Sequence, residues 1–209
     1  MSTKKTEFLT IDRDYGPEEF REKGSRFISY LFRVKTREEA DAVVAELWKK
    51  YDDATHVCFA FRLGEGREDY FRYNDDGEPG GTAGRPIYDE IRSKDYFNVL
   101  VAVVRYYGGT KLGTGGLVRA YGKGARQVLD VSRAITILVK QEVTVAFPYD
   151  FTGDMMHIVN HFSLEIVAQD YTADGASMRL SVPIGVLDSV SKMLTEKSFG
   201  KFSLEPAAK

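Results

Sequence analysis

The sequence predicts an α+β protein of two domains, residues 1–136 and 137–209. Three observations carry that expectation. Val99-Leu100-Val101-Ala102-Val103-Val104 is a continuous apolar run, the pattern of a strand covered on both faces. Thr36 opens a stretch in which Ala40, Val43, Val44, Leu47 and Trp48 recur at helical spacing. From about Lys140 the apolar pattern alternates in the order β-α-β-β-α-β, the split unit of ferredoxin-like domains.

Taken in order, Arg26 to Val34 reads as a strand with Phe27, Ile28, Leu31 and Phe32 as its apolar content. Thr36 is a helix N-cap with Glu39 three residues on, the capping-box spacing. His56 to Leu63 and Asp69 to Tyr73 read as strands joined by the turn Gly64-Glu65-Gly66. Gly84 to Lys94 is a short helix with Pro86 in its first turn, where a missing amide proton does little harm. After the Val99 to Tyr106 strand, Gly115 to Ser132 is a long helix. Gly116, Ala120 and Gly124 make a stripe of small residues on one face, and Arg119, Lys123 and Arg126 lie on another. In the second domain strands are expected at 142–147, 164–170, 177–183 and 202–204, with helices at 149–162 and 185–197.

With 209 residues and 43% hydrophobic content the chain can bury sizeable cores. No apolar run approaches the roughly 18 residues of a membrane span, and the N-terminus lacks a signal-peptide pattern, so a cytoplasmic protein without a membrane partner is expected. The single Cys58 rules out an intrachain disulfide and, lying in Val57-Cys58-Phe59-Ala60-Phe61, reads as a buried inert thiol. Net charge is −2, but charge is sorted locally. Residues 104–129 hold Arg105, Lys111, Arg119, Lys123 and Arg126 and no acid, whereas residues 65–78 hold Glu65, Glu68, Asp69, Asp75, Asp76 and Glu78 against Arg67 and Arg72.

Two glycine-rich loops flank the apolar strand. Gly108-Gly109-Thr110-Lys111-Leu112-Gly113-Thr114-Gly115-Gly116 precedes a helix, where backbone amides can cradle an anion. The spacing excludes a P-loop, since Gly113-Thr114 stand where Gly-Lys is required. It also excludes a dinucleotide fingerprint, since Val118 occupies its third glycine. What remains is a generic anion or partner site of Arg105, Gly108, Gly109, Lys111, Gly113, Gly115, Gly116, Arg119 and Lys123, or else a tight connection with solvated cations. The acidic turn Asp75-Asp76-Gly77-Glu78-Pro79 could ligate a hard cation, but Asx turn chemistry or pairing with the basic block explains it without a metal. His56 could act as general base, and with Glu78 is the weak catalytic candidate. His157 and His161 lack the Glu of a zinc motif, so neither metal nor cofactor is expected.

Lys23-Gly24-Ser25-Arg26-Phe27, Ala54-Thr55-His56, the turn from Asp75 to Gly84 and the segment from Val103 to Gly122 resemble, in that order, the signatures of the YigZ/IMPACT family. Gly80 departs from the expected serine and Tyr107 from phenylalanine, which weakens any serine nucleophile in the turn. The resemblance implies a first domain folded like the second domain of a small-subunit ribosomal protein, and a second like the last domain of elongation factor G. It also implies kinship with eukaryotic proteins that regulate translation initiation through protein contact. Two functions follow as expectations. One is a noncatalytic translation-associated regulatory protein that meets RNA, the ribosome or an acidic protein partner through the glycine-rich basic surface. The other is an enzyme for a phosphorylated or carboxylated small molecule held by the glycine loops.

Overall fold

The computed structural model describes residues 5–65 and 70–207. Gly66, Arg67, Glu68 and Asp69, assigned above to a turn, a strand start and the acidic block, lie outside the described residues. The chain divides between Ile137 and Leu138 into two units. In the first, strands β1 (Glu7–Ile11), β2 (Tyr15–Glu22) and β3 (Ser25–Arg33) lead to helix α1 (Arg37–Lys50). Strands β4 (His56–Leu63) and β5 (Tyr70–Asn74), helix α2 (Gly84–Ser93), strand β6 (Val99–Tyr106), helix α3 (Thr114–Asp130) and strand β7 (Ala134–Leu138) follow. A five-stranded sheet runs β2-β3-β6-β4-β5, and β1 pairs with β7 in a separate ladder.

The apolar run places β6 at the centre of this sheet, and the period of two decides which face each residue serves. Val99, Val101 and Val103 join α2 and α3 in one core with Phe27, Leu31, Cys58, Ala60, Ile87 and Tyr121. Leu100, Ala102 and Val104 join α1 in another with Phe59, Phe61, Ala40 and Leu47. Each fully buried valine or leucine contributes on the order of 1.5–3 kcal/mol. Trp48, assigned from its spacing to the packed stripe of α1, is instead 47% exposed; Ala40 and Leu47 are buried, and Val43 and Val44 pack at their margin. The Thr36 hydroxyl accepts from the Glu39 amide at 3.2 Å, while the Glu39 carboxylate reaches back to the Lys35 amide at 2.6 Å, one residue beyond the expected reciprocal bond.

Helix α3 lies close on the sheet because its small residues allow it. A Cβ at Gly124 would stand 2.7 Å from Ser29 Oγ and 3.4 Å from Val103 Cγ1.

The second unit contains β8 (Lys140–Pro148), α4 (Thr152–His161), β9 (Glu165–Tyr171), β10 (Gly175–Pro183), α5 (Leu187–Ser198) and β11 (Glu205–Pro206), with short 3-10 turns before each helix. Its antiparallel sheet runs β11-β8-β10-β9, with the last strand beside the first. Val143, Val145 and Phe147 on β8 and Ala176, Met178 and Leu180 on β10 point to the same core as Met155, Ile158, Val190 and Leu194. The last strand falls at Glu205-Pro206 rather than at 202–204: those two residues make the pairing with β8, while Phe202 and Leu204 pack against that core. Among the described residues no helix is long and apolar enough to cross a membrane.

Candidate functional site

The starts of β3 and β4 and the end of β6 between them lie side by side at one rim of the sheet. Arg105 is in register with Phe27 on one side and His56 on the other. The parity that buries Val101 and Val103 sends the Arg105 side chain to the α2/α3 face, where it is only 4% exposed. A buried guanidinium needs a counter-charge and acceptors. Glu78 supplies the charge, accepting from Arg105 Nη1, and Ser25 Oγ accepts from Nη2 at 3.3 Å. Glu78 Oε1 also accepts from the Tyr121 hydroxyl at 2.8 Å. Burial pushes the Tyr121 phenol well above its ordinary range, so Tyr121 keeps its proton and serves Glu78 as a hydrogen-bond donor. Of the three acids in the turn, Glu78 is the one that reaches into the basic block.

The other two acids build the turn. Asp75 Oδ1 accepts from the Ala83 and Gly84 amides at 2.9 and 2.8 Å, and Oδ2 from the Gly81 amide at 2.8 Å. Ala83 gives α2 no side-chain cap of its own, so Asp75 caps that helix from eight residues upstream. Asp76 Oδ2 accepts from the Val57 amide at 2.6 Å, and burial raises the Asp76 carboxyl above its ordinary value against the opposing effect of that bond. The Asp76 carbonyl lies 2.6 Å from His56 Nδ1. A carbonyl can only accept, so Nδ1 carries a proton, and Nε2 is left 3.8 Å from Glu78 Oε1. The Cys58 thiol donates to the Asp75 carbonyl at 3.1 Å, and burial pushes it far above the ordinary thiol range.

The basic glycine loop is tied to the same strand ends. The Tyr107 amide donates to Thr55 Oγ1 at 2.9 Å and the Gly108 amide to Ser25 Oγ at 3.2 Å. Gly24, at φ +82°, lies against Gly108 so closely that a Cβ at 108 would stand 1.9 Å from the Gly24 carbonyl carbon. The loop ends at Gly113, φ +75°, which precedes α3 without a side-chain cap. A cavity of about 520 Å³ opens here, lined by His56, Arg105, Tyr107, Lys111 and Thr114 among others. Gly113 borders it, whereas Gly108, Gly109, Gly115 and Gly116 are not part of its wall.

Arg105 therefore leaves the outward cationic surface to which the sequence assigned it: its place in a doubly covered strand turns it inward. Lys111, Arg119, Lys123 and Arg126 remain exposed. Arg126 pairs with Glu90 at 2.6 Å, and Lys123 Nζ lies 4.4 Å from the centre of the Phe20 ring. Among the described residues Lys111 and Arg119 have no carboxylate partner. A second cleft, of about 660 Å³, runs between α2 and α3 beside Arg85, Arg119, Lys123 and Arg126.

Ser25, Thr55 and Tyr121 belong to this constellation and were not singled out as site residues. Tyr121 was visible in principle, since Leu117, Tyr121, Ala125 and Val128 recur at helical spacing and mark the inward face of α3. Ser25 and Thr55 carried no chemical pattern of their own; they matter because the strand register brings them to the glycine loop.

The model of the Impact N-terminal domain matches residues 23–129, which include every residue of the site. The chain is 34% identical over 186 residues to the IMPACT family member YigZ of Escherichia coli, covering 87% of this chain and 89% of that protein. A crystal structure described as that of a hypothetical protein superposes with a TM-score of 0.72 at 30% identity, covering 98% of both chains. The structure described as the two-domain translational regulator Yih1 aligns with a TM-score of 0.41 at 25% identity, over 58% of this chain and 48% of that one.

Proposed function

The chain belongs to the IMPACT family, and on that premise we propose that it is a noncatalytic regulatory protein of the translation apparatus that docks on ribosomal RNA through the outer face of α3. The observation that carries this reading is the unequal treatment of the cations. Arg105 is buried and committed to Glu78, whereas Arg119 and Lys123 stand exposed one helical turn apart beside the α2/α3 cleft, and Lys111, within the glycine loop, has no carboxylate partner among the described residues. Unpaired cations on one helix face are the electrostatic means of meeting a phosphate backbone. Support for the translation setting comes from the family resemblance, which ties eukaryotic members to control of initiation.

Cosedimentation with ribosomes tests the proposal. Association should be present at about 50 mM salt and weaken steeply by about 200 mM. The double reversal Arg119→Glu/Lys123→Glu should abolish it while leaving the thermal unfolding midpoint near that of the parent. Absence of association at low salt, or binding indifferent to the reversal, would overturn the RNA reading. A reversal-sensitive complex with an acidic protein in RNase-treated samples would replace RNA by protein as the partner.

A further inference from the structure

We propose that the cavity beside His56 binds a small molecule bearing a carboxylate or phosphate on an apolar or aromatic body. This site is separate from the α3 face and does not depend on the docking reading above. Its wall has an excess of positive charge: Glu78 offsets Arg105, which leaves Lys111 uncompensated. Arg105 is 4% exposed, and among the described residues its Nε has no hydrogen-bond partner although both terminal nitrogens are engaged. That nitrogen is itself closed off from the cavity, so an anion there would reach it through its field and not through a hydrogen bond, supplying the negative potential that a buried, incompletely bonded cation favours. The 17-residue helix α3 starts at the cavity's border with Thr114 in the wall, and Gly113 provides no side chain to cap the Thr114 amide. A Cβ at Gly113 would meet nothing within 4 Å, so its backbone is open to approach.

The remaining wall argues for more than a bare anion. Pro79, Leu112 and Leu117 are apolar, and the Tyr107 ring is 46% exposed, with the Arg105 guanidinium 5.5 Å from its centre. A volume of about 520 Å³ exceeds what an inorganic oxyanion fills and falls within the range of small-molecule sites. His56 completes the specificity. With Nδ1 committed to the Asp76 carbonyl, Nε2 is the ring atom left to a ligand, as acceptor when neutral and donor when protonated. Glu78 and Asp76 lie beside that ring, and Arg105 and Lys111 share the cavity wall with it.

Titration of the isotope-labelled full chain with phenyl phosphate, benzoate, inorganic phosphate and benzyl alcohol tests the site. Saturable amide shifts at Lys111, Gly113, Thr114 and His56 are expected with phenyl phosphate or benzoate, with a dissociation constant below about 1 mM. The stronger of the two probes identifies the head group. Inorganic phosphate and the uncharged alcohol should each bind at least about tenfold more weakly. Lys111→Ala, in an exposed loop, should weaken binding by about tenfold through loss of one charge-assisted contact. Arg119→Glu/Lys123→Glu should leave it unchanged, whatever that pair does to ribosome association. No saturation by about 10 mM, equal affinity for benzyl alcohol, shifts centred on Arg119 and Lys123, or indifference to Lys111→Ala would each overturn the proposal.

Discussion

Glu78 and Arg105 neutralise each other inside the first unit, each less than a tenth exposed, 27 residues apart in sequence. Such a pair is expensive to break from one side. Glu78→Leu or Arg105→Met alone should cost about 3–5 kcal/mol, because each strands a buried charge. The double variant should lose clearly less than the two singles added together. Urea unfolding of the four proteins gives the coupling energy directly, and strict additivity would mean that the two groups do not depend on each other.

Asp75 is expected to matter for stability rather than for ligand binding. Asp75→Ala removes the acceptor of three amides and leaves that of the buried Ala83 without a partner, a loss of about 3 kcal/mol. Asp75→Asn keeps one acceptor oxygen and should lose less. Hydrogen exchange at Ala83 and Gly84 should accelerate in the alanine variant, and unchanged protection would remove Asp75 from its capping role.

The glycines of the two loops should differ sharply under substitution. Gly108→Ala drives a methyl into the Gly24 backbone and should cost about 3 kcal/mol or prevent folding. Gly80 has nothing within 4 Å of a Cβ position, so Gly80→Ser, the residue the family resemblance leads one to expect there, should shift stability by no more than about 0.5 kcal/mol. Thermal melts of the two variants side by side decide the point.

Cys58 supplies a pH dependence with a definite sign. Burial raises its folded pKa, so the folded state keeps the thiol proton while the unfolded thiol releases it above about pH 8.5. The folded state then binds the extra proton, and stability falls as pH rises, by about 1.4 kcal/mol per pH unit from this group. Buried Tyr121 adds a loss of the same sign above about pH 10. Cys58→Ala should flatten the slope between pH 8.5 and 10, read from denaturation midpoints. Native protein should also resist alkylation at pH 8 until unfolded; rapid labelling of the folded state would contradict the burial.

Much of this architecture was legible because it is written in periodicity. The doubly covered β6, the capped α1 and the β-α-β-β-α-β order of the second unit all follow from apolar spacing. Strands β1 and β2 were not individually legible: Tyr15–Glu22 is polar and contains Pro17, and its strand character comes from pairing with β3. The site was half legible. Its loops stood out by composition, and pairing of the acidic turn with the basic block was among the expectations. The inward turn of Arg105 is written in its parity with Val101 and Val103, a signal that its charge masks, and Tyr121 is masked by the glycines around it.

The order β2-β3-β6-β4-β5 has a consequence for how the protein comes into being. Ser25 and Arg105 meet across 80 residues, and Glu78 and Tyr121 across 43. During synthesis β3, α1, β4 and β5 emerge before β6 exists to lie between β3 and β4, so an incomplete chain has its outer strands without their central partner. The cavity's wall runs from Thr55 to Leu117, so a chain stopped before Leu117 lacks part of it, and one stopped before Tyr121 also lacks the hydroxyl that meets Glu78.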